Sequence, residues 1–317
     1  MHSGYGTRLL SIGEIIDRAV HLTIANLLPL AAIIGLVDVP VRAIADWLDR
    51  DDLSHYFGAV GKIVADPRMF TSYFTLIQSP HSQSPWNTLL WVLATFLPLS
   101  LAVAAASIAS EKILLGERLK VGAAYSSAIR RLGPVIGASI LTFAMFTVAF
   151  VVVGVAASVP WIVWVTILAS GGQTITSSQT VVLFALLIPS LAAVAVWMIP
   201  LTNCTFTGAA LNAVRPFRAL REAWTMTMSR GLRGRSFALG GALIAITVVE
   251  VFISTALCGV LSVVTHSSWL SFVARDLISL LALIFFTALA VVFYLDARNR
   301  TGIIQDPLAE RENSQAQ

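Results

Sequence analysis

One carboxylate, Glu250, stands alone in the middle of a long apolar stretch of this 317-residue chain. A carboxylate is costly in hydrocarbon, and such residues usually face a partner, a water-filled cavity or a proton path. Glu250 is therefore a candidate intramembrane substrate or proton site. The alternative is a structural carboxylic acid, neutral because it is buried, that is hydrogen-bonded to a neighbouring helix through Thr247 or Ser254, one turn away on either side.

Six arginines crowd into residues 212–235, and the last three have glycines between them. Such a cluster could bind anionic lipid headgroups or a protein partner. The plainer interpretation is that positive residues keep this segment on the cytoplasmic side of a membrane. Both interpretations stay open from the sequence. The six candidate contacts are Arg215, Arg218, Arg221, Arg230, Arg233 and Arg235.

Motifs of familiar enzymes are missing from the chain. It contains no phosphate-binding GxxxxGK[ST] loop, no HExxH zinc motif and no GxSxG nucleophile elbow. Its two cysteines, Cys204 and Cys258, are too few and too distant for a disulfide framework or a zinc site. We therefore expect a protein that is not an enzyme, with no cofactor, no metal site and no nucleic-acid partner.

The segment 132–214 contains no Asp, Glu, Lys, Arg or His. Only 12% of the chain is charged and 57% is hydrophobic, whereas a typical soluble domain is roughly 25% charged. A helix needs about 20 apolar residues to cross a bilayer, so the segment is long enough to cross more than once. Arginines flank it on both sides, which favours an even number of crossings, because positive residues stay cytoplasmic.

Six apolar spans are predicted in total. Residues 160–178 are ambiguous, because about ten apolar residues are too few to cross. They are either an extension of the third span or an interfacial turn. The spans lie at about 23–45, 87–110, 133–157, 180–203, 236–262 and 274–296.

An amphipathic helix precedes each pair of spans. The first covers residues 11–22, where Ser11 and Glu14 form a capping box. The second starts at Lys120, and the third runs from Pro216 to Met228 with Phe217, Leu220 and Trp224 on one face. The three helices can be superimposed at equivalent alanines. These alanines are Ala19, Ala128 and Ala223.

The predicted fold is therefore an all-α integral membrane protein with about six transmembrane helices as three hairpins. Each hairpin follows an amphipathic interfacial helix on the cytoplasmic side. Residues 1–300 form a single polytopic membrane domain, and residues 301–317 form a polar C-terminal tail. The repeat units are 11–110, 119–203 and 215–296.

The distribution of basic residues sets the expected orientation. With both termini inside, five of the 21 Lys and Arg residues fall outside and the other 16 inside, as the positive-inside rule requires. The five outer residues are Arg42, Arg50, Lys62, Arg68 and Arg275.

Smaller patterns predict local contacts. Asp38, Arg42 and Asp46 are spaced one turn apart and predict an outer ion cluster, while Arg275 and Asp276 are expected to cap the sixth span. Small residues at Ala102, Ala106 and Ser110, and the Gly133–Gly137 GxxxG, favour close helix packing.

Three segments resemble the bacterial glycerophosphoryl diester phosphodiesterase membrane-domain family. They are Leu10-Ser11-Ile12-Gly13-Glu14-Ile15-Ile16-Asp17-Arg18-Ala19 with Leu28-Pro29-Leu30, then Pro216-Phe217-Arg218-Ala219-Leu220-Arg221-Glu222-Ala223-Trp224, and finally Phe293-Tyr294-Leu295-Asp296-Ala297-Arg298. The resemblance implies a bacterial multi-pass helical protein, usually of unestablished function. The family is named for members fused to a catalytic barrel, for which this chain has no room, so no catalytic residue is carried over.

The expected function is a non-catalytic role in the bacterial cytoplasmic membrane. The chain would bind or move a lipid or other amphiphile, with anionic lipids as possible ligands, or scaffold a complex with an unidentified membrane protein partner. The alternative is a secondary transporter or permease that uses Glu250. An intramembrane enzyme is the third and weakest hypothesis.

Overall fold

The computed structural model describes residues 10–48, 58–60, 62–63, 66, 85–117, 120–170, 177–229, 231–265 and 268–301. The regular structure within these ranges is entirely helical. The helices are α1 (Ile12–Ala25), α2 (Leu27–Leu48), α3 (Pro85–Leu114), α4 (Val121–Arg130), α5 (Leu132–Ser170), α6 (Ser177–Asn212), α7 (Pro216–Met228), α8 (Arg233–Thr265) and α9 (Ser268–Thr301).

Six of these helices, α2, α3, α5, α6, α8 and α9, are long and apolar enough to cross a membrane. The prediction of an all-α multi-pass membrane protein is thus confirmed at this level. Helix α5 has 39 residues, roughly 58 Å at 1.5 Å per residue, which exceeds the full thickness of a bilayer. It continues through Pro160 to Ser170, so residues 160–170 extend the third span. Residues 171–176 lie outside the described residues.

The short helices α1, α4 and α7 bury equivalent positions against the long helices. The three alanines aligned from the sequence are completely buried, and the residues four positions earlier are 1% exposed. Positions i and i+4 share one face of a helix, and mostly small side chains there let each short helix lie close to the bundle. The buried pairs are Ile15 with Ala19, Ala124 with Ala128, and Ala219 with Ala223.

The capping box predicted at the start of α1 is present, whereas part of the predicted apolar face of α7 is exposed. Ser11 Oγ accepts a hydrogen bond from the Glu14 amide at 3.2 Å, and Glu14 accepts one from the Ser11 amide at 2.6 Å, which confirms the capping box. In α7, however, Phe217 and Trp224 are 77% and 47% exposed. The alanine face is buried, Phe217 points outward, and Trp224 packs edge to face against Trp197 of α6 with ring centroids 5.8 Å apart.

Helix α9 lies at the centre of the bundle. It contacts α1, α2, α3, α6, α7 and α8. Half of its most apolar 18-residue stretch is buried inside the protein. Helix α5 lies at the periphery, where it contacts chiefly α6. None of its most apolar 18-residue stretch is buried. Consecutive long helices also contact one another, in the pairs α2 with α3, α5 with α6, and α8 with α9.

Close helix approaches occur at small residues, but only partly where the sequence predicted them. Ala102, Ala106 and Ser110 are fully buried, as expected of a small-residue stripe. A Cβ on Gly137 would overlap the ring of Pro216 at the start of α7, whereas Gly133 has no neighbour within 4 Å. The tightest approach is elsewhere, at Gly240 of α8, where a Cβ would overlap the Val196 carbonyl of α6.

Polar contacts join several helix termini at one end of the bundle, here called the basic end. Arg131, before α5, donates to the carbonyl oxygens of Ala210, at 2.7 Å, and of Leu211, at the end of α6. The Asn212 amide donates to the Tyr294 hydroxyl, and Arg298 donates to the Asn212 side-chain oxygen at 3.4 Å. The ends of α6 and α9 and the start of α5 therefore meet there.

The opposite end, here called the acidic end, joins α2 to the start of α9. Asp38 and Arg42 form an ion pair at 2.8 Å, as the spacing predicted. Asp46 instead pairs with Arg275, which also contacts Asp276 at 3.2 Å. The prediction that Arg275 and Asp276 cap the sixth span is wrong, because α9 begins at Ser268 and both residues lie two turns inside it.

Candidate functional site

A cavity of about 500 Å³ lies between α3, α5 and α6. Its wall combines aromatic rings with hydroxyl groups, and none of the described lining residues is charged. These residues are Phe96 of α3, Ser139, Thr142, Phe143, Phe146, Thr147, Phe150 and Val151 of α5, and Thr202 of α6.

The spacing of the α5 residues explains why they share one wall. Side chains three and four positions apart lie on the same face of a helix, and the lining residues recur at that interval from Ser139 to Val151. Phe96 meets Phe143 edge to face, with ring centroids 5.8 Å apart. Phe146 and Phe150 stack at 4.8 Å. The rings give the cavity a firm apolar wall, which suits a hydrocarbon ligand.

The hydroxyl groups of the cavity differ in their hydrogen bonding. Thr142 donates to the Ser139 carbonyl oxygen at 3.0 Å, and Thr202 donates to the Met198 carbonyl oxygen at 3.0 Å. Ser139 Oγ has no hydrogen-bond partner among the described residues, although the residue is only 3% exposed. A buried hydroxyl without a partner costs free energy, so Ser139 has an unused hydrogen-bonding capacity next to the cavity.

The α5 wall of the cavity is more polar at its Ser139 end, although Thr147 also lies further along it. Its α5 wall extends from Ser139 to Val151, roughly 18 Å along the helix. The Ser139 end is nearer the basic end, because the adjacent Ala138 packs in one buried cluster with Val214 and Ala219 of the α7 region. Phe150 and Val151 lie deeper along α5, towards the middle of the bundle. This gradient matches an amphiphile whose polar part faces the basic end.

Glu250 lies outside the described cavity wall. It is half-buried in α8, and Ser279 of α9 donates to it at 3.4 Å. The two partners expected from the sequence are engaged elsewhere: Thr247 donates to the Leu243 carbonyl oxygen at 2.9 Å, and Ser254 to the Val251 carbonyl oxygen at 3.0 Å. A hydroxyl on the facing helix thus binds Glu250, which the chain order alone could not identify.

The candidate arginines have different surroundings. Arg215, at the N-cap of α7, and Arg221 are exposed. Arg218 pairs with Glu222 at 2.9 Å, and Arg233 donates to the Met228 carbonyl oxygen at 2.5 Å. Arg235 turns inward, with its guanidinium 3.9 Å from the Asp296 carboxylate. Arg230 lies outside the described residues.

Asp296 joins the two termini of the helical bundle. It accepts hydrogen bonds from the Leu10 amide at 3.2 Å and from Arg300 at 2.7 Å, and Arg300 also donates to the Leu10 carbonyl oxygen at 2.7 Å. We call Leu10, Arg235, Asp296 and Arg300 the terminal clamp. The sequence analysis missed it, although Asp296 belongs to the closing motif and Arg300 follows one helical turn later.

A tyrosine fixes α4 to the first long helix. The Tyr125 hydroxyl donates to the Ile33 carbonyl oxygen of α2 at 2.5 Å. Burial raises the pKa of Tyr125 above its ordinary value of 10.0, because the charged phenolate is disfavoured away from water. The hydroxyl therefore stays protonated, and remains a donor, across the neutral pH range.

No family model, curated protein or solved structure matches this chain. The family resemblance of its three segments therefore stays a prediction. Within the described part of the chain, His, Cys, Asp and Glu do not form a group of three or more that could hold a metal ion. The cavity and the charged groups around it are therefore the features that point to a function.

Proposed function

We propose that this chain is a non-catalytic protein of the bacterial cytoplasmic membrane that binds a lipid or other amphiphile in the cavity between α3, α5 and α6. The cavity is the observation that supports this proposal. Its volume of about 500 Å³ lies within the range of small-molecule sites, which are mostly apolar with a few placed polar groups.

The location of the cavity favours a lipid ligand over a water-soluble one. Phe143 and Val151 of the wall are 54% and 58% exposed, and both belong to a helix long and apolar enough to cross a bilayer. Molecules that reach such a surface come from the hydrocarbon phase. The absence of charge among the described lining residues also disfavours a free ionic substrate, which would lose its hydration without gaining a counter-charge.

The proposed arrangement in the membrane is three hairpins, each preceded by an amphipathic interfacial helix, with both termini cytoplasmic. The basic end would face the cytoplasm. This orientation is supported by the excess of basic residues in the segments that meet there and by the hydrogen bonds that join the ends of α6 and α9. The resemblance to the phosphodiesterase membrane-domain family fits the same proposal.

Scaffolding of a membrane complex is a second candidate role. Phe217 projects from α7 and Trp224 is partly exposed beside Trp197 of α6, and both are close in sequence to the exposed Arg221. Aromatic residues and Arg are enriched in protein interfaces, although aromatic side chains are also usual at the membrane interface. Replacement of Phe217 and Trp224 by Ala would release a bound protein partner if one exists, without changing the retained lipid.

Transport through Glu250 is the third candidate. Its support is a carboxylate near the middle of α8, in contact with Ser279. A transport path would have to bring the ligand to Glu250, and the lipid-binding proposal does not need it. Glu250→Gln is therefore expected to retain the same lipid as the wild type. Loss of lipid or of a measured flux in this variant would favour the transporter.

The direct test compares two equally exposed valines on α5. Val151 lines the cavity and is 58% exposed, whereas the adjacent Val152 is 59% exposed and is not part of the described wall. Native mass spectrometry of protein extracted from the membrane would count the retained lipids. We expect Val151→Trp to lose the tightly retained lipid and Val152→Trp to keep it. Equal retention in both variants would refute the proposed site.

A further inference from the structure

We propose that the cavity binds an anionic phospholipid from the leaflet at the basic end, with Ser139 donating to an acyl ester carbonyl and Arg215 facing the phosphate. This inference rests on the proposed function, because it specifies the ligand of the same cavity. It assigns one role to the hydroxyl without a partner and another to an exposed arginine.

The depth of Ser139 suits an ester group. Arg131 lies at the basic end, where it donates to the Ala210 carbonyl oxygen. Ser139 follows eight residues later, roughly 12 Å deeper along α5. The polar layer on each side of a bilayer is about 5–8 Å thick. With Arg131 at the outer edge of the headgroup layer, Ser139 lies roughly 4–7 Å inside the hydrocarbon boundary, a few ångströms below the acyl esters and within reach of an ester group drawn into the cavity.

The Ser139 hydroxyl forms no hydrogen bond with the part of the protein that the structure describes. Its Oγ is covered and forms no hydrogen bond, and rotation about the Cα–Cβ bond moves it between staggered positions. A ligand oxygen in the cavity is one acceptor for the rotated hydroxyl, and the backbone carbonyl of the preceding turn is the other. An ester carbonyl satisfies the hydroxyl, while the acyl chain continues along Phe143 and Phe146 towards Val151.

The phosphate must lie at the mouth of the cavity, since none of the described lining residues carries charge. Helix α7 begins beside the first turns of α5, at the level of the Ser139 end of the cavity. Val214 packs with Ala138, and the ring of Pro216 lies against Gly137. Arg215 stands between these two contacts and is exposed. Its position next to the first turns of α5 and its positive charge complement an anionic headgroup.

The ester contact is tested with two forms of phosphatidylglycerol that differ only in ester or ether linkage of the chains. The ether form lacks the carbonyl acceptor. Competition for delipidated protein, read by native mass spectrometry, should favour the ester form by about three- to tenfold, the usual effect of one neutral hydrogen bond. Ser139→Ala should abolish this preference, whereas Ser158→Ala, outside the described cavity wall of α5, should keep it.

The headgroup contact is tested with ester-linked phosphatidylglycerol against phosphatidylcholine. Wild-type protein should prefer the anionic lipid, and Arg215→Gln should reduce that preference by about fivefold, the usual effect of one basic residue at a membrane surface. Arg221→Gln removes the same charge roughly 9 Å further along α7, and it should leave most of the preference. Equal effects of the two variants would overturn the role of Arg215.

The outcomes separate this inference from the proposed function. Equal lipid retention by Val151→Trp and Val152→Trp would refute the cavity as a lipid site altogether. Retention that depends on Val151, without discrimination between ester and ether lipids by the wild type, would refute the Ser139 contact and leave the proposed function standing. The wild-type comparison needs no variant, so impaired folding of Ser139→Ala would not obscure it.

Discussion

Helices α9 and α5 differ in how far the rest of the protein surrounds them. Helix α9 contacts six other helices and forms ion pairs near both ends, with Asp46 at the acidic end and within the terminal clamp at the basic end. Helix α5 has no ionisable residue along its 39 residues, and none of its most apolar 18-residue stretch is buried. The difference indicates that α9 holds the fold together, while α5 leaves room for a ligand.

Hydrogen bonding follows the same division. The carboxylate of Asp296 in α9 accepts hydrogen bonds from Leu10 and Arg300. The Ser139 hydroxyl of α5 has no protein partner and lies beside a cavity. A polar group that the fold satisfies contributes to stability, whereas one that the fold leaves unsatisfied costs free energy until a ligand binds. Substitutions in α9 should therefore change the unfolding free energy, whereas substitutions in the cavity wall of α5 should change lipid retention.

The largest expected effect comes from the terminal clamp. Asp296→Ala leaves the guanidinium groups of Arg235 and Arg300 near the basic end without their carboxylate, so we expect a loss of roughly 3–5 kcal/mol in unfolding free energy. Thermal and denaturant unfolding in detergent would measure it. Glu222→Ala breaks the more exposed pair with Arg218 and should cost about 0.5 kcal/mol or less. Equal losses in both variants would contradict the central role of α9.

Close packing between α6 and α8 gives the next effect. Gly240→Ala places a methyl group onto the Val196 carbonyl, so the helices must separate, at a cost of about 1–3 kcal/mol. Gly241 is the matched control, because a Cβ there has no neighbour within 4 Å. Gly241→Ala should be neutral or stabilising by up to about 1 kcal/mol. The same unfolding measurements compare the two variants, and a more destabilising Gly241→Ala would contradict the packing.

The Tyr125 hydrogen bond predicts a smaller effect with a defined pH dependence. Tyr125→Phe should lower the unfolding free energy by about 1 kcal/mol at neutral pH. Because the folded pKa of Tyr125 lies above its ordinary value, this contribution is fully present below about pH 10 and is lost as the pH rises through the folded pKa. Unfolding of both proteins from pH 7 upwards measures the difference, which should not grow with pH.

Substitution on α5 should hardly change stability. Val151 is 58% exposed, so Val151→Trp should alter the unfolding free energy by about 0.5 kcal/mol or less, although it blocks the cavity. Unfolding should be measured on delipidated protein, because a bound lipid would itself add stability. A loss as large as that of Asp296→Ala would show that α5 also holds the fold together and would remove the contrast with α9.

The smallest expected effect is at Glu250. Glu250→Gln keeps a side-chain oxygen that can accept the hydrogen bond from Ser279, so both the unfolding free energy and the retained lipid should stay close to those of the wild type. A marked change in lipid retention would transfer the ligand site from α5 to α8. Native mass spectrometry and unfolding on the same preparation measure both properties.

Much of the fold could be predicted because membrane helices are marked by composition. The uncharged segment 132–214 indicated two long helices, and the sequence aligned α1, α4 and α7 at three alanines that the structure buries. Contacts between distant segments could not be predicted. Chain order does not show that Asp46 meets Arg275, or that Ser279 meets Glu250. The sequence pattern also wrongly put Arg275 and Asp276 at a helix end. They lie two turns inside α9, where Arg275 pairs with Asp276 and with Asp46 of α2.

The cavity itself was beyond sequence reasoning for a related physical reason. Phenylalanine, serine and threonine at helical spacing on α5 fit an ordinary lipid-facing helix. These α5 side chains line a cavity because Phe96 of α3 and Thr202 of α6 lie opposite them, which the sequence does not show. The anionic lipid hypothesis for the arginines was open from the sequence, but the packing of Val214 and Pro216 against α5 was needed to single out Arg215.

The most direct test is a high-resolution structure of the wild-type protein in a lipid nanodisc that contains phosphatidylglycerol. The account predicts elongated density between Phe96, Phe143 and Phe146, with an ester group near Ser139 and a headgroup near Arg215. A structure in which α3 closes against α5 and the cavity is filled by protein side chains would contradict the central claim.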